Sequence, residues 1–381
     1  MENKEKKKNQ HYVPQYYFKF FNGKQAFISV LLVSKGKVIP SSSVADQASK
    51  SYFYGDAEIE NEVCIVENRL RKHIVDVLNT GSIDKRQKLS LIEYIAYQEA
   101  RTSKKRAETS SAFRTIEAFV DLEDKVKDIE AAKSWHARNS ISSFAADEAK
   151  WHWRQMLLAL SSTWSMSDLS CILLENNTEI PFVFSDSPVV FLNHHMSDFS
   201  EFGIVGTMSK GLVVVFPIDP SYCVLLYDPD AYRLTFPYAR TFDKTRSVLA
   251  VSESDVQVVN TLQYLNSENC VYSADIKYLK SFLSRPRPES RAGFGCAIDA
   301  VVDTPDKFTL KFHGAFKGGA VFPDLPFFDY KKSKRFVQAR AKPLKIYEER
   351  QKRRFGLLND KKFLRKLAGM NFEQMMDALR V

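Results

Sequence analysis

DAEIENEVCIVENRLRKHIVDVL, residues 56–78, carries apolar side chains at 59, 63, 66, 70, 74 and 77. That recurrence at three- and four-residue steps predicts an amphipathic helix with one face toward a core, and Gly81 closes it. A second helix is expected to start near Asp84, with Leu91, Tyr94 and Ile95 on one face. The charge-rich stretch that follows, up to about Val126, reads as helical, and residues 151–164 as the end of a third or fourth helix. Upstream, residues 27–33 and 38–39 flank Ser34-Lys35-Gly36 and predict a hairpin, because glycine accepts the positive φ of a tight turn. The first half is therefore mainly helical.

The second half changes period. Residues 171–174 and 180–184 flank Glu175-Asn176-Asn177-Thr178 and read as a hairpin that delivers Ser185-Asp186-Ser187-Pro188 at its exit. Residues 212–216 and 223–227 form a second apolar pair around Pro217-Ile218-Asp219-Pro220. A helix capped by serine or aspartate is expected over 254–267, leading into the strand-like Cys270-Val271-Tyr272. Beyond it, Arg285-Pro286-Arg287-Pro288 reads as a linker, and 361–379 as an amphipathic helix with Phe363, Leu364, Leu367 and Met370 on its apolar side. The expected fold class is α+β: a helical layer packed on an antiparallel sheet, with a basic C-terminal helical tail. Four units follow: a basic arm (1–10), a main domain (11–280), a linker with additional strands (281–330) and the basic helical tail (331–381).

A chain of 381 residues that is 44% apolar and 13% aromatic can bury a large core. Its apolar runs are too short to span a bilayer, and the first ten residues are charged where a signal peptide needs an apolar stretch, so a cytoplasmic protein without membrane contact is expected. Five cysteines, at 64, 171, 223, 270 and 296, are too scattered for a zinc knuckle. The net charge of +9 is unevenly held: residues 331–381 contain 16 Lys and Arg against 5 Asp and Glu, leaving 39 against 41 for the rest. Lys331, Lys332, Lys334, Arg335, Lys352, Arg353, Arg354, Lys361, Lys362, Arg365 and Lys366 are the candidate nucleic-acid contacts, since clustered cations are the footprint of a polyanion partner. A solvated helical appendage on an acidic partner or on the body is the alternative. The apolar side of 361–379 must be covered, by the body or by a second copy, which makes a homo-oligomer one expectation.

The segment His11-Tyr12-Val13-Pro14-Gln15 follows the lysine-rich start and runs into Tyr16, Tyr17, Phe18, Phe20 and Phe21. Proline fixes its own φ and pushes Val13 toward an extended conformation, so His11 and Gln15 sit on a stiff segment. Three further features follow in order: paired glutamates within 60–67, the step from Gln98 to Arg101 in YIAYQEART, and the SDSP box at 185–188. Together these resemble the bacterial HYVPQ family, a domain of unknown function (4238), over residues 11–275. The resemblance implies a protein of bacteria or phages, with some members linked to anti-phage defence loci, and no named reaction.

Glu60 and Glu67 lie seven residues apart, nearly two helical turns, so both carboxylates emerge on similar sides beside the apolar stripe. Gln98 and Arg101 extend the line of Leu91, Tyr94 and Ile95 and should face the interior or a cleft. Asp186 stands at a strand exit, where side chains commonly project into sites. Converged, His11, Gln15, Gln98, Arg101 and Asp186 as catalytic groups, with Glu60, Glu67 and Asp186 as ligands to a divalent metal such as Mg or Mn, have the composition of a phosphoryl-chemistry site. The competing arrangement is structural: Arg101 pairs with Glu60 or Glu67, and Gln98 and His11 complete the hydrogen bonds. His194-His195 could add an imidazole but reads more simply as a polar turn, and His152 could stack a base between Trp151 and Trp153, tryptophans that read more simply as core or half-buried helix residues. The expected functions are thus a defence-associated metal-dependent nuclease or phosphodiesterase, or a non-enzymatic module that binds nucleic acid or a phage protein around a buried His/Glu/Arg/Asp network. A nucleotide-binding regulator is a third, hinted at by the aromatics near Tyr12 and Tyr16.

Overall fold

A computed structural model of the chain describes residues 9–55, 57–110, 148–285, 294–304, 307–316 and 322–358. Strand β1 (Asn9–His11) leads through Pro14 into helix α1 (Gln15–Phe21). The hairpin β2 (Phe27–Leu32) and β3 (Lys37–Ser43) follows, then β4 (Ser49–Ser51), which pairs antiparallel with β1. Helices α2 (Ala57–Thr80), α3 (Lys85–Ala100) and α4 (Glu148–Ser161) form the helical layer. Gly81 ends α2 at φ 55°, where a Cβ would meet Arg246 Nη2 and Tyr222 Oη at 3.0 Å. Asp84 starts α3 with a reciprocal cap, its carboxylate accepting from Gln87 N at 2.7 Å while Gln87 Oε1 accepts from Asp84 N at 2.8 Å.

The strand-rich half comprises β5 (Ser170–Asn176), β6 (Phe184–Ser185), β7 (Val190–Leu192), β8 (Val213–Pro217), β9 (Tyr222–Tyr227), β10 (Tyr232–Leu234) and β11 (Val248–Val251). Helix α5 (Glu253–Asn266) then leads into β12 (Cys270–Ser273) and α6 (Ile276–Ser281). The hairpin β13 (Phe294–Thr304) and β14 (Lys307–Phe316), the short β15 (Phe328–Tyr330) and helix α7 (Ala341–Leu358) complete the description. The central sheet has the order β11-β5-β9-β8-β7 and is antiparallel except for the β11–β5 pair. A second, antiparallel sheet has the order β3-β2-β12-β6. The chain is thus an α+β fold.

Period-two alternation in the central strands feeds two cores. Leu173, Val214, Phe216, Val224 and Leu226 pack with Tyr17 of α1 and with Ile74, Val77, Leu91 and Ile95 of the helical layer. Their neighbours Leu174, Val213, Val215 and Leu225 pack with Val256, Val259 and Leu262 of α5 and with Phe327 and Phe328. Both faces of the sheet are therefore covered, which explains why 212–216 reads as an unbroken apolar run.

One expected hairpin does not form. Strands β5 and β6 belong to different sheets, β5 beside β9 and β6 beside β12. The Asn176 amide donates to the carbonyls of Ile180 (2.8 Å) and Pro220 (3.1 Å), which turns the chain away from β5. The backbone of 181–183 is then met by Asn260 of α5, which accepts from Val183 N at 2.9 Å and donates to Pro181 O at 2.9 Å. A side-chain amide has replaced the partner strand.

The chain leading into the tail is docked rather than free. Strand β15 pairs antiparallel with β10, and Arg340 is buried, donating to both Asp168 oxygens at 2.9 and 3.0 Å and to the carbonyls of Ser165, Thr207 and Ser209. Trp164 stacks on Tyr347 of α7. The basic arm at 1–8, most of the charge-rich stretch to Val126, the 286–288 part of the linker and the 361–379 helix lie outside the described residues. No described helix is long and apolar enough to cross a membrane.

Candidate functional site

The stiffness expected of the HYVPQ segment takes a definite form. Val13 is fully buried, and Pro14 occupies the N-cap of α1 with φ −66° and ψ 144°, so the chain turns sharply and brings Gln15 back beside His11. The Gln15 amide lies 3.3 Å from His11 Nε2, and that nitrogen is 3.0 Å from the carbonyl of Ala45. The Ala45 carbonyl can only accept, so a hydrogen bond to it places the proton on His11 Nε2. Burial lowers the His11 pKa, against the pull of the Ala45 carbonyl.

The last turn of α3 grips this segment by its main chain. Gln98 donates from Nε2 to the Tyr12 carbonyl at 3.1 Å, and Arg101 donates from Nη2 to the His11 carbonyl at 2.6 Å. The same Nη2 reaches Glu67 Oε1 at 2.5 Å and the Tyr54 hydroxyl at 3.0 Å, while Nε reaches that hydroxyl at 3.2 Å. Tyr54 in turn donates to the His11 carbonyl at 3.1 Å, and its own N–H donates to Gln10 Oε1 at 2.6 Å. Behind the pair, His152 donates from Nε2 to the Arg101 carbonyl at 3.2 Å and stacks on Tyr54.

Arg101 is 1% exposed and Glu67 19%. Burial is the largest influence on the guanidinium and opposes its charge, yet Glu67, the next largest, helps carry the pKa above the ordinary arginine value. The pair is held by geometry good enough to offset desolvation, because hydrogen bonds satisfy the donors that face protein. Burial likewise pushes His152 down to about 3, so this imidazole is neutral at physiological pH.

Asp186 does not join this group. Its carboxylate accepts from the N–H groups of Glu268 (2.8 Å), Asn269 (2.8 Å) and Cys270 (3.0 Å), tying the strand exit to the turn between α5 and β12. Burial without a cation raises its pKa to about 6, even though those three donors pull the other way. A single metal ion shared by Glu60, Glu67 and Asp186 does not fit this arrangement, because Asp186 is turned to the 268–270 backbone and Glu67 to Arg101. Among the described residues no three His, Cys, Asp or Glu side chains are grouped to hold a metal. The structure thus brings together His11, Gln15, Glu67 and Arg101, with Gln98 one carbonyl away, and leaves Asp186 apart.

Sequence reasoning passed over Tyr54, Tyr97 and Gln10. Tyr97 was findable, since it stands four residues before Arg101 and shares its helix face. Tyr54 carries no local signal, because a loop hydroxyl reaches Arg101 through the tertiary fold. His152, weighed as a base-stacking residue, is buried, while His194 and His195 form the polar turn expected of them, both backbone N–H groups donating to the Tyr232 hydroxyl at 3.0 and 3.1 Å.

Of the basic candidates, Lys331, Lys334 and Arg335 are exposed, together with Lys342 and Lys345 of α7. Lys332 is exposed too, paired with Asp198 at 2.6 Å. Lys352, Arg353 and Arg354 lie on α7 with undescribed side chains, and Lys361, Lys362, Arg365 and Lys366 lie outside the described residues.

No curated protein and no solved structure matches this chain. One family model does, over residues 9–277, which takes in the HYVPQ segment, the Glu67–Arg101 pair and the SDSP box. On that match the chain belongs to the family described as Protein of unknown function (DUF4238).

Proposed function

We propose that the chain is a non-catalytic recognition module that binds nucleic acid through the basic segment beginning at Lys331. The observation that carries this reading is the exposure of Lys331, Lys334, Arg335, Lys342 and Lys345 on a stretch whose path is set by β15 and the buried Arg340. Cations on a docked scaffold lose less freedom on meeting phosphates than cations on a loose tail. The His11–Glu67–Arg101 group serves this module as a clamp that fastens the N-terminal segment to the helical layer. The family resemblance adds an anti-phage setting, which plaque counts on cells with and without the intact gene would test.

Fluorescence anisotropy with labelled DNA and RNA tests the binding. If about five phosphates are contacted, affinity should fall roughly 10²–10³-fold between about 50 and 200 mM salt. Replacing Lys334, Arg335, Lys342 and Lys345 together by glutamate should abolish binding without changing thermal stability. Affinity that ignores salt, or that survives the charge reversal, removes nucleic acid as the partner of this segment. Cleavage of the same probes in Mg or Mn, lost on Glu67→Gln, would instead restore a phosphodiesterase reading.

A further inference from the structure

Two adjacent histidines hold the start of the basic segment. The Tyr330 ring of β15 stacks on the His194 imidazole with 5.6 Å between centroids, and lies 5.5 Å from the ring of Tyr232, its partner across the β10–β15 pair. His195 continues the grip through the main chain: its Nδ1 donates to the Lys331 carbonyl at 2.5 Å, and its carbonyl accepts from Ser333 N at 2.7 Å. Phe199 meets Phe336, and Asp198 pairs with Lys332. Residues 194–199 thus lie along residues 324–336.

His194 is the buried member of this contact. Its Nδ1 faces the Asp324 carboxylate at 3.6 Å, too long for a hydrogen bond, and Asp324 is 71% exposed and already accepts from the Tyr330 hydroxyl at 2.6 Å. Its Nε2 is buried with no hydrogen-bond partner among the described residues, and the buried Ser197 hydroxyl of the same turn is not bonded to it. A neutral imidazole tolerates this setting, because a proton on Nδ1 leaves only a lone pair on Nε2. An imidazolium does not. Its Nε2–H becomes a buried donor with no acceptor, and an ion pair with the exposed Asp324 returns little. Burial, the largest influence, accordingly lowers the His194 pKa; Asp324 and the Pro323 carbonyl pull it up, and Lys332 adds to the lowering. The His195 bond to Lys331 is indifferent to charge, since Nδ1–H is present in one neutral tautomer and in the cation alike.

We propose that His194 is a proton-sensitive clasp: with its ring neutral, residues 323–333 are docked on the 194–199 turn, and protonation of the ring releases them. The sign follows from linkage. Docking lowers the affinity of His194 for its proton, so docking is at full strength above about 6.5, the ordinary histidine value, and weakens as pH falls below it. Acidification then frees the stretch that carries Lys331, Lys334 and Arg335. Control of nucleic-acid binding by this release rests on the function proposed for the basic segment, whereas the release itself does not.

Trypsin cleavage of the full chain at those three residues, at about pH 7.5 and about pH 5.5, tests the clasp with no nucleic acid present. Each rate is divided by that of an unstructured peptide spanning residues 328–338 in the same buffer, which removes the protease's own pH dependence. The ratio should rise at least about threefold at the lower pH, with the central sheet uncut. His194→Phe keeps a ring for Tyr330 to stack on and deletes the proton site, so its segment should stay protected at both pH values. A ratio that ignores pH, a rise that survives in His194→Phe, or a variant already open at the higher pH would each overturn the proposal. So would cuts spread through the central sheet, which would mean acid unfolding instead of release. Loss of the nucleic-acid reading alone would leave these ratios unchanged, so the two failures are distinguishable.

Discussion

Arg101 and Glu67 meet at 2.5 Å through a guanidinium nitrogen that also holds the main-chain carbonyl of His11. One nitrogen thereby links α2, α3 and the N-terminal segment, and the charge that Glu67 balances is the one that fastens the HYVPQ stretch.

Arg101→Ala should therefore be among the most damaging single changes, leaving Glu67 and the His11 carbonyl without their cation at a loss of about 3–5 kcal/mol. Glu67→Gln keeps the shape and a carbonyl acceptor, so its loss should be smaller, and Arg101→Lys should resemble Arg101→Ala because an ammonium lacks the planar fork whose Nε and Nη2 both meet Tyr54. Urea denaturation of the three variants would check that order. Equal stability of Arg101→Ala and the parent would mean that the network contributes nothing to the fold.

Asp186 imposes a pH dependence opposite to that of an ion-paired carboxylate. Its pKa rises from 3.8 to about 6 on folding, so the native state binds more protons than the unfolded chain between those values. Stability contributed at this site is thus present below about pH 4 and falls as pH rises to about 6, by an amount on the order of 2–3 kcal/mol. The difference between the parent and Asp186→Asn, measured by denaturation from pH 4 to 7, should show that slope. A flat difference would place the Asp186 carboxyl in a better solvated setting than its burial indicates.

Arg340 is the predicted latch of the basic segment. Arg340→Ala strips Asp168 of its partner and three carbonyls of their donor, for a loss of about 3 kcal/mol. Trypsin should then cut at Lys331, Lys334 and Arg335 much faster than in the parent, with the central sheet still protected. Unchanged cleavage would show that the β10–β15 pairing holds the segment without the latch.

Local elements were legible where the chain's own neighbours decide them. The helix over 56–78, its stop at Gly81, the helix start near Asp84 and the pair of strands around residues 217–220 depend on period and on short-range hydrogen bonds, and each formed where its residues placed it. The expected hairpin over 171–184 failed for a nonlocal reason. Asn260, 77 residues beyond Val183, supplies the amide that satisfies that backbone, and no pattern within the segment announces it.

For the candidate site the division is sharper. The sequence by itself determined that Glu67, Gln98 and Arg101 face inward, because helical period assigns a side, and that His11 and Gln15 stand on a stiff, proline-bent segment. Tertiary structure alone decided the pairing. Glu60 and Glu67 were equivalent by period, and the packing of α2 on α3 placed Glu67 against Arg101. It also decided that Asp186 faces three backbone N–H groups instead of that cluster. Which polar groups meet depends on how elements dock, and a buried charge takes the partners that docking brings within hydrogen-bond reach.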